Sequence, residues 1–116
     1  LGDVYKTQGE NSTLTGDVKR TGTHPTISWF YGWRIASGTT LNLNMTGANT
    51  AQKGNLVADG NNTLNVNYTG TGSSLTGNAN NTGIMNLTFD NQSRMTGNIT
   101  NGHADYADGT SFDGQL

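Results

Sequence analysis

His103, Asp105, Asp108 and Asp113 are the residues of this 116-residue chain that come closest to a chemical site. Paired carboxylates can serve as general acid and base, and groups of them line the grooves of polysaccharide-cleaving β-helices. Their oxygens could also ligate calcium from a loop. The spacing Asp105-x-x-Asp108-Gly-x-x-x-Asp113 fits neither the EF-hand loop nor the glycine-aspartate nonapeptide repeat. Asp17, Asp59 and Asp90 do not extend the group into a column. Aspartate in glycine-containing turns is the stronger reading. His24 and His103 each lack a partner at metal-ligand spacing. The sequence therefore assigns no catalytic residue, no metal ligand and no cofactor, and the chain does not read as an enzyme.

A second candidate is aromatic. Trp29, Phe30, Tyr31 and Trp33 crowd into five positions beside the only proline, Pro25. Such side chains stack on sugars or anchor a protein partner. Alternation along a strand would split them between two faces, so Ile27, Trp29 and Tyr31 could equally fill a bulky core layer, or the segment could cap one. Eight Asn-x-Ser/Thr triplets begin at Asn11, Asn44, Asn61, Asn67, Asn80, Asn86, Asn91 and Asn98. Each could accept a glycan in a eukaryotic secretory pathway, but a chain this rich in Asn and Thr produces them by repetition. The Thr15, Thr76 and Thr96 positions suggest an ice-binding array, which Lys53 interrupts.

The bulk properties exclude other classes. The net charge is −2, and the six Lys and Arg residues are scattered, so no basic patch awaits nucleic acid. No apolar run is long enough for a membrane-spanning helix. Cysteine is absent, as suits a protein that crosses an outer membrane unfolded. Charged residues are 12% and hydrophobic residues 31%, too few for a thick two-layer core. Asn, Thr and Gly number 16, 19 and 17. Such short side chains suit tightly wound β structure with a narrow core.

The elements that must position any site come from three like stretches: Leu41–Met45, Leu64–Tyr68 and Met85–Phe89. Each alternates apolar and polar residues with the period of a half-buried strand. Superposed, they give apolar columns Leu41-Leu64-Met85, Leu43-Val66-Leu87 and Met45-Tyr68-Phe89. The polar columns are Asn42-Asn65-Asn86 and Asn44-Asn67-Thr88, and asparagines so stacked can pass amide hydrogen bonds along the stack. A second phrase recurs as Leu14-Thr15-Gly16-Asp17, Leu75-Thr76-Gly77-Asn78 and Met95-Thr96-Gly97-Asn98. Its glycine, with Gly32 and Gly54 added, repeats at intervals of 16, 22, 23 and 20 residues. A period near twenty with two short strands predicts a β-solenoid of about five coils, each of roughly 16–23 residues. Residues 1–116 then form one segment, and the start at Leu1 and end at Leu116 read as the cut ends of a longer array. Unpaired strand edges at those ends predict end-to-end self-association.

The phrase Ser-x-Leu-Thr-Gly-Asn at Ser73–Asn78, its relatives, and Asn86–Asn91 resemble the repeat of Helicobacter vacuolating-cytotoxin-like autotransporter passengers. The likeness is best from Thr39 to Thr100. It implies a right-handed parallel β-helix carried to the bacterial surface by a C-terminal translocator barrel, the chain's one link to a membrane. It also implies secretion or display at the outer membrane, and a part in host colonisation, adhesion or toxicity through a host-cell protein or glycan. No catalytic residue carries over from the family. The Trp29–Trp33 stretch departs from the repeat and opens the alternative of a carbohydrate-binding or polysaccharide-acting β-helix.

Overall fold

The computed structural model describes residues 4–20, 27–30, 33–36, 40–60, 62–105 and 111–116; at 4, 5, 20, 27–30, 33–36 and 112 it describes the backbone alone. The described chain is all β. Its strands are β1 (Val4–Gln8), β2 (Thr13–Thr15), β3 (Val18–Arg20), β4 (Ile27–Phe30), β5 (Trp33–Ala36), β6 (Thr40–Met45), β7 (Ala51–Lys53) and β8 (Leu56–Ala58). There follow β9 (Thr63–Tyr68), β10 (Ser74–Thr76), β11 (Ala79–Asn81), β12 (Ile84–Phe89), β13 (Arg94–Thr96), β14 (Ile99–Asn101), β15 (His103–Asp105) and β16 (Ser111–Asp113). No described helix is long and apolar enough to cross a membrane.

Three parallel sheets of four strands stack side by side, in the orders β1-β6-β9-β12, β2-β7-β10-β13 and β3-β8-β11-β14. Each run of three strands supplies one strand to every sheet, so the chain climbs in levels, as a β-solenoid does. The predicted columns are in register: Leu41 with Leu64 and Met85, Leu43 with Val66 and Leu87, Met45 with Tyr68 and Phe89. Leu43, Met45, Leu64, Val66, Tyr68 and Met85 are fully buried, joined by Leu56, Leu75, Ala79 and Ala58 from the two shorter sheets. The long sheet alternates because one face meets this core and the other meets water. Phe89 stacks on Tyr68 with ring centroids 4.8 Å apart.

Two features of the sequence make stacking possible. The first is the glycine column Gly16-Gly54-Gly77-Gly97, whose φ angles run from 116° to 150°. A Cβ at Gly54, Gly77 or Gly97 would overlap the glycine carbonyl one level below. Only glycine permits both the backbone angle and the contact. The second is the turn after each long strand, where Asn11, Asn49, Gly72 and Gln92 all take the left-handed conformation. Asparagine tolerates that region better than most residues do.

Gly32 lies outside the described residues. The strands on either side of it, β4 and β5, do not join the parallel sheets. They pair with one another antiparallel, Phe30 opposite Trp33 and Trp29 opposite Arg34. The even march of five glycines thus becomes one column of four with a hairpin interposed between β3 and β6. The tail behaves alike: β15 and β16 pair antiparallel, Ala104 opposite Phe112. Gln115 then returns to bridge Ile84 in parallel. Both hairpins leave from the same point of the circuit, between the last strand of one level and the first of the next. The levels between make that step with residues 59–62 and 82–83 alone.

Candidate functional site

The outward face of the long sheet is built from amides. Asn65 Nδ2 donates to Asn42 Oδ1 at 2.8 Å, and Asn86 Nδ2 donates to Asn65 Oδ1 at 2.8 Å. Beside them Asn67 Nδ2 donates to Asn44 Oδ1 at 2.9 Å. The alternation that buries leucine on one face puts asparagine on the other. Parallel register then sets like amides one strand spacing apart, about 4.8 Å, which lets each donate to the last. The array is neutral. Its members run from part-buried to exposed, so the face offers amide groups to the hydroxyls or amides of a ligand. Among the eight glycan-type triplets, Asn67 and Asn86 have their Nδ2 atoms engaged in these ladders.

A second ladder follows the glycine column. The Oδ1 atoms of Asp17, Asn55 and Asn78 accept the backbone N–H of Asn55, Asn78 and Asn98, at 2.9, 2.9 and 3.0 Å. The sequence marks these positions as Asp or Asn after glycine without revealing what they do. The signal was there, since an oxygen acceptor follows the glycine every time. Inside, Tyr68 donates its hydroxyl to Gln52 Oε1 at 2.9 Å, and Gln52 Nε2 donates to the Gly16 carbonyl at 3.3 Å. Burial pushes the Tyr68 phenol well above its ordinary range, so it stays a neutral donor. Gln52 is a buried polar residue in a column that otherwise reads Leu14, Leu75 and Met95.

The tail group is partly assembled. His103 Nδ1 lies 2.6 Å from Asp113 Oδ1 across the hairpin, and Nε2 lies 2.9 Å from Asp105 Oδ1 along the strand. Hydrogen bonds to Asp113 and Asp105, with the Asp105 charge, hold the imidazole pKa above 6.5. The residues are exposed, so the three serve as a surface clasp on β15 and β16. Asp108 lies outside the described residues. No group of three or more His, Cys, Asp or Glu able to hold a metal occurs among the described residues. Asp17 is bound into the glycine ladder, Asp59 accepts from Asn62 and Asp90 accepts the N–H of Asn91, each a turn or ladder role.

Of the aromatic candidates, Trp29 and Phe30 fall on β4 and Trp33 on β5, described by backbone alone, and Tyr31 lies outside the described residues. The hairpin places Trp33 opposite Phe30, but Trp29 opposite Arg34. An open cavity of about 270 Å³ sits at the turn after β12, lined by Thr71, Asn91 and Gln92. No protein-family model, curated protein or solved structure matches the chain.

Proposed function

We propose that this chain is a structural and adhesive segment of a secreted or surface-displayed bacterial virulence factor. In this reading it is a right-handed parallel β-helix of about five turns within an autotransporter passenger. The parallel bridge of Gln115 to Ile84, above the four levels of the sheets, supports a further turn. The observation that carries the reading is the pair of ladders, amide and glycine-following, that repeat from level to level. They make a stiff rod whose length follows from repetition, and they present an uncharged amide face suited to hydroxyl-rich surfaces. The partner is a host-cell surface protein or glycan. The test is display of the chain on bacteria from a fused translocator barrel. Cells bearing the chain should adhere to host cells above cells bearing the barrel alone, and equal adhesion would sink the adhesive half of the proposal.

The second reading is carbohydrate binding through the aromatic hairpin. It is favoured by β4 and β5 pairing with each other outside the parallel sheets, in a stretch holding both tryptophans. On a glycan array this reading predicts binding that Trp29→Ala removes. Binding unchanged by Trp29→Ala would assign recognition to the amide face instead.

A further inference from the structure

The charges of the chain are sorted by sign at one corner of the solenoid. Residues 21–39, the insertion that carries β4 and β5, hold Arg34 and His24 and no carboxylate. Residues 102–116, which carry β15 and β16, hold Asp105, Asp108 and Asp113 and neither Lys nor Arg. Between them, residues 40–101 balance Lys53 and Arg94 against Asp59 and Asp90. Lys19, on the strand that leads into the first insertion, lies 3.8 Å from Asp17 and is matched by it. Arg34 has no such carboxylate within its own insertion. The two insertions leave the circuit three levels apart, about 14 Å at the spacing of paired strands. That exceeds the Debye length of about 8 Å at physiological salt. The tail carboxylates therefore offset little of the positive charge where the first insertion departs.

Register adds the chemistry. Opposed residues of an antiparallel ribbon share a face, and the faces alternate along each strand. Trp29 is opposite Arg34 and Ile27 opposite Ala36, so one face of β4–β5 combines one indole with one guanidinium. Phe30 opposite Trp33 and Ser28 opposite Ile35 make up the other face, which bears no charge. An indole suits the apolar face of a sugar ring. A guanidinium offers a fork of N–H groups that matches a carboxylate. Opposed residues of a ribbon are about 5 Å apart at Cβ, the scale of one sugar ring and its acid group. Single-stranded nucleic acid fits less well, because it is held by grooves that set several cations along successive phosphates. This insertion has one arginine.

We propose that the Trp29–Arg34 face of β4–β5 is a binding site for a glycan whose sugar carries a carboxylate. The proposal rests on the carbohydrate-binding reading of the hairpin and adds the acid to it. Trp29 supplies stacking that neutral and acidic sugars share. Arg34 supplies the preference between them.

Isothermal titration calorimetry with matched oligosaccharides tests this. One pair is an oligosaccharide ending in sialic acid and the same oligosaccharide without it. The other is a uronate-containing oligosaccharide and its methyl ester. The wild type should bind the acid form about tenfold more tightly than its neutral counterpart in low salt. The margin should narrow as salt rises from about 0.01 M to about 1 M, where the Debye length falls from about 30 to about 3 Å. Arg34→Gln should bring the acid form down to the affinity of the neutral one, and Trp29→Ala should weaken both. Both variants should keep the wild-type melting temperature within a few degrees, because β4 and β5 pair outside the parallel sheets. A preference shown in one pair alone would support the proposal and name the acid. Equal affinity for acid and neutral forms in both pairs, or a margin that survives Arg34→Gln, would overturn the acid assignment and leave the carbohydrate reading standing. No binding of any sugar, or binding indifferent to Trp29→Ala, would overturn that reading and this proposal with it. An oligothymidylate bound as tightly as the acidic sugars would overturn the assignment to glycans.

Discussion

The middle of the stack and the hairpins at its corner are built on opposite logics. From β6 to β11, every strand pairs in parallel with strands twenty or more residues away in sequence, and in the long sheet leucine lies on leucine and asparagine on asparagine. In β4–β5 and β15–β16 each strand pairs with its immediate neighbour, antiparallel, with unlike residues opposed. A parallel neighbour can be reached only through a full circuit of chain, whereas an antiparallel one needs a short turn. The stack therefore depends on contacts that repeat at every level. A hairpin depends on a few local contacts and can be lengthened or exchanged without touching the levels. This contrast places variation at one corner of the solenoid and constancy in its columns.

The contrast is most sharply broken at a column. Gly77→Ala adds a methyl group that overlaps the Gly54 carbonyl at φ of 150°. The expected loss is about 4 kcal/mol or more, enough to unfold a small domain. Circular dichroism should show the β signal collapse, and a melting temperature within a few degrees of the wild type would contradict the column. Next in size is Tyr68→Phe, which leaves Gln52 Oε1 buried without its donor. A loss of about 1–3 kcal/mol is expected in urea titration, with the slope unchanged. Asn65→Ala removes the bond to Asn42 and strands the Asn86 amide. These groups are partly exposed, so about 1–2 kcal/mol is expected from the same titration.

The smallest effect lies on the hairpin side. The folded pKa of His103 is raised by Asp113 and Asp105. Its contribution is therefore full below the ordinary histidine value of 6.5 and is lost as pH rises through the folded value. Amide exchange in β15 and β16, corrected for the intrinsic pH dependence, should show protection falling across that window. β9 and β10 should show no such change. His103→Gln should remove the pH dependence and leave the global melting temperature within about a degree. A shift in the whole stack would mean the clasp and the columns are one unit.

The columns were legible in the sequence because a solenoid writes its register into the chain. Leu64 over Leu41 and Asn65 over Asn42 follow from alternation plus a period, with no long-range guess required. The hairpins were not legible, for a physical reason. Ile27–Ala36 has the β-branched and aromatic content of a strand, and nothing in its composition tells parallel from antiparallel pairing. Gly32 fell near the expected spacing and so passed for another repeat. The Asp17-Asn55-Asn78-Asn98 ladder was visible as a pattern and silent as chemistry, since its partners are backbone groups. The Gln52–Tyr68 bond was hidden because a glutamine in an apolar column reads as an error until its partner is seen across the core.

The most direct test of the stacked register is an engineered disulfide, with no native cysteine to confuse it. Thr40, Thr63 and Ile84 are successive members of one column. Neighbouring members of such a column lie about 4.8 Å apart, within disulfide range, and alternate members about twice that, beyond it. Thr40→Cys with Thr63→Cys should oxidise readily and raise the melting temperature, whereas Thr40→Cys with Ile84→Cys should remain reduced. Equal oxidation of both pairs, or oxidation of the second alone, would contradict the stack.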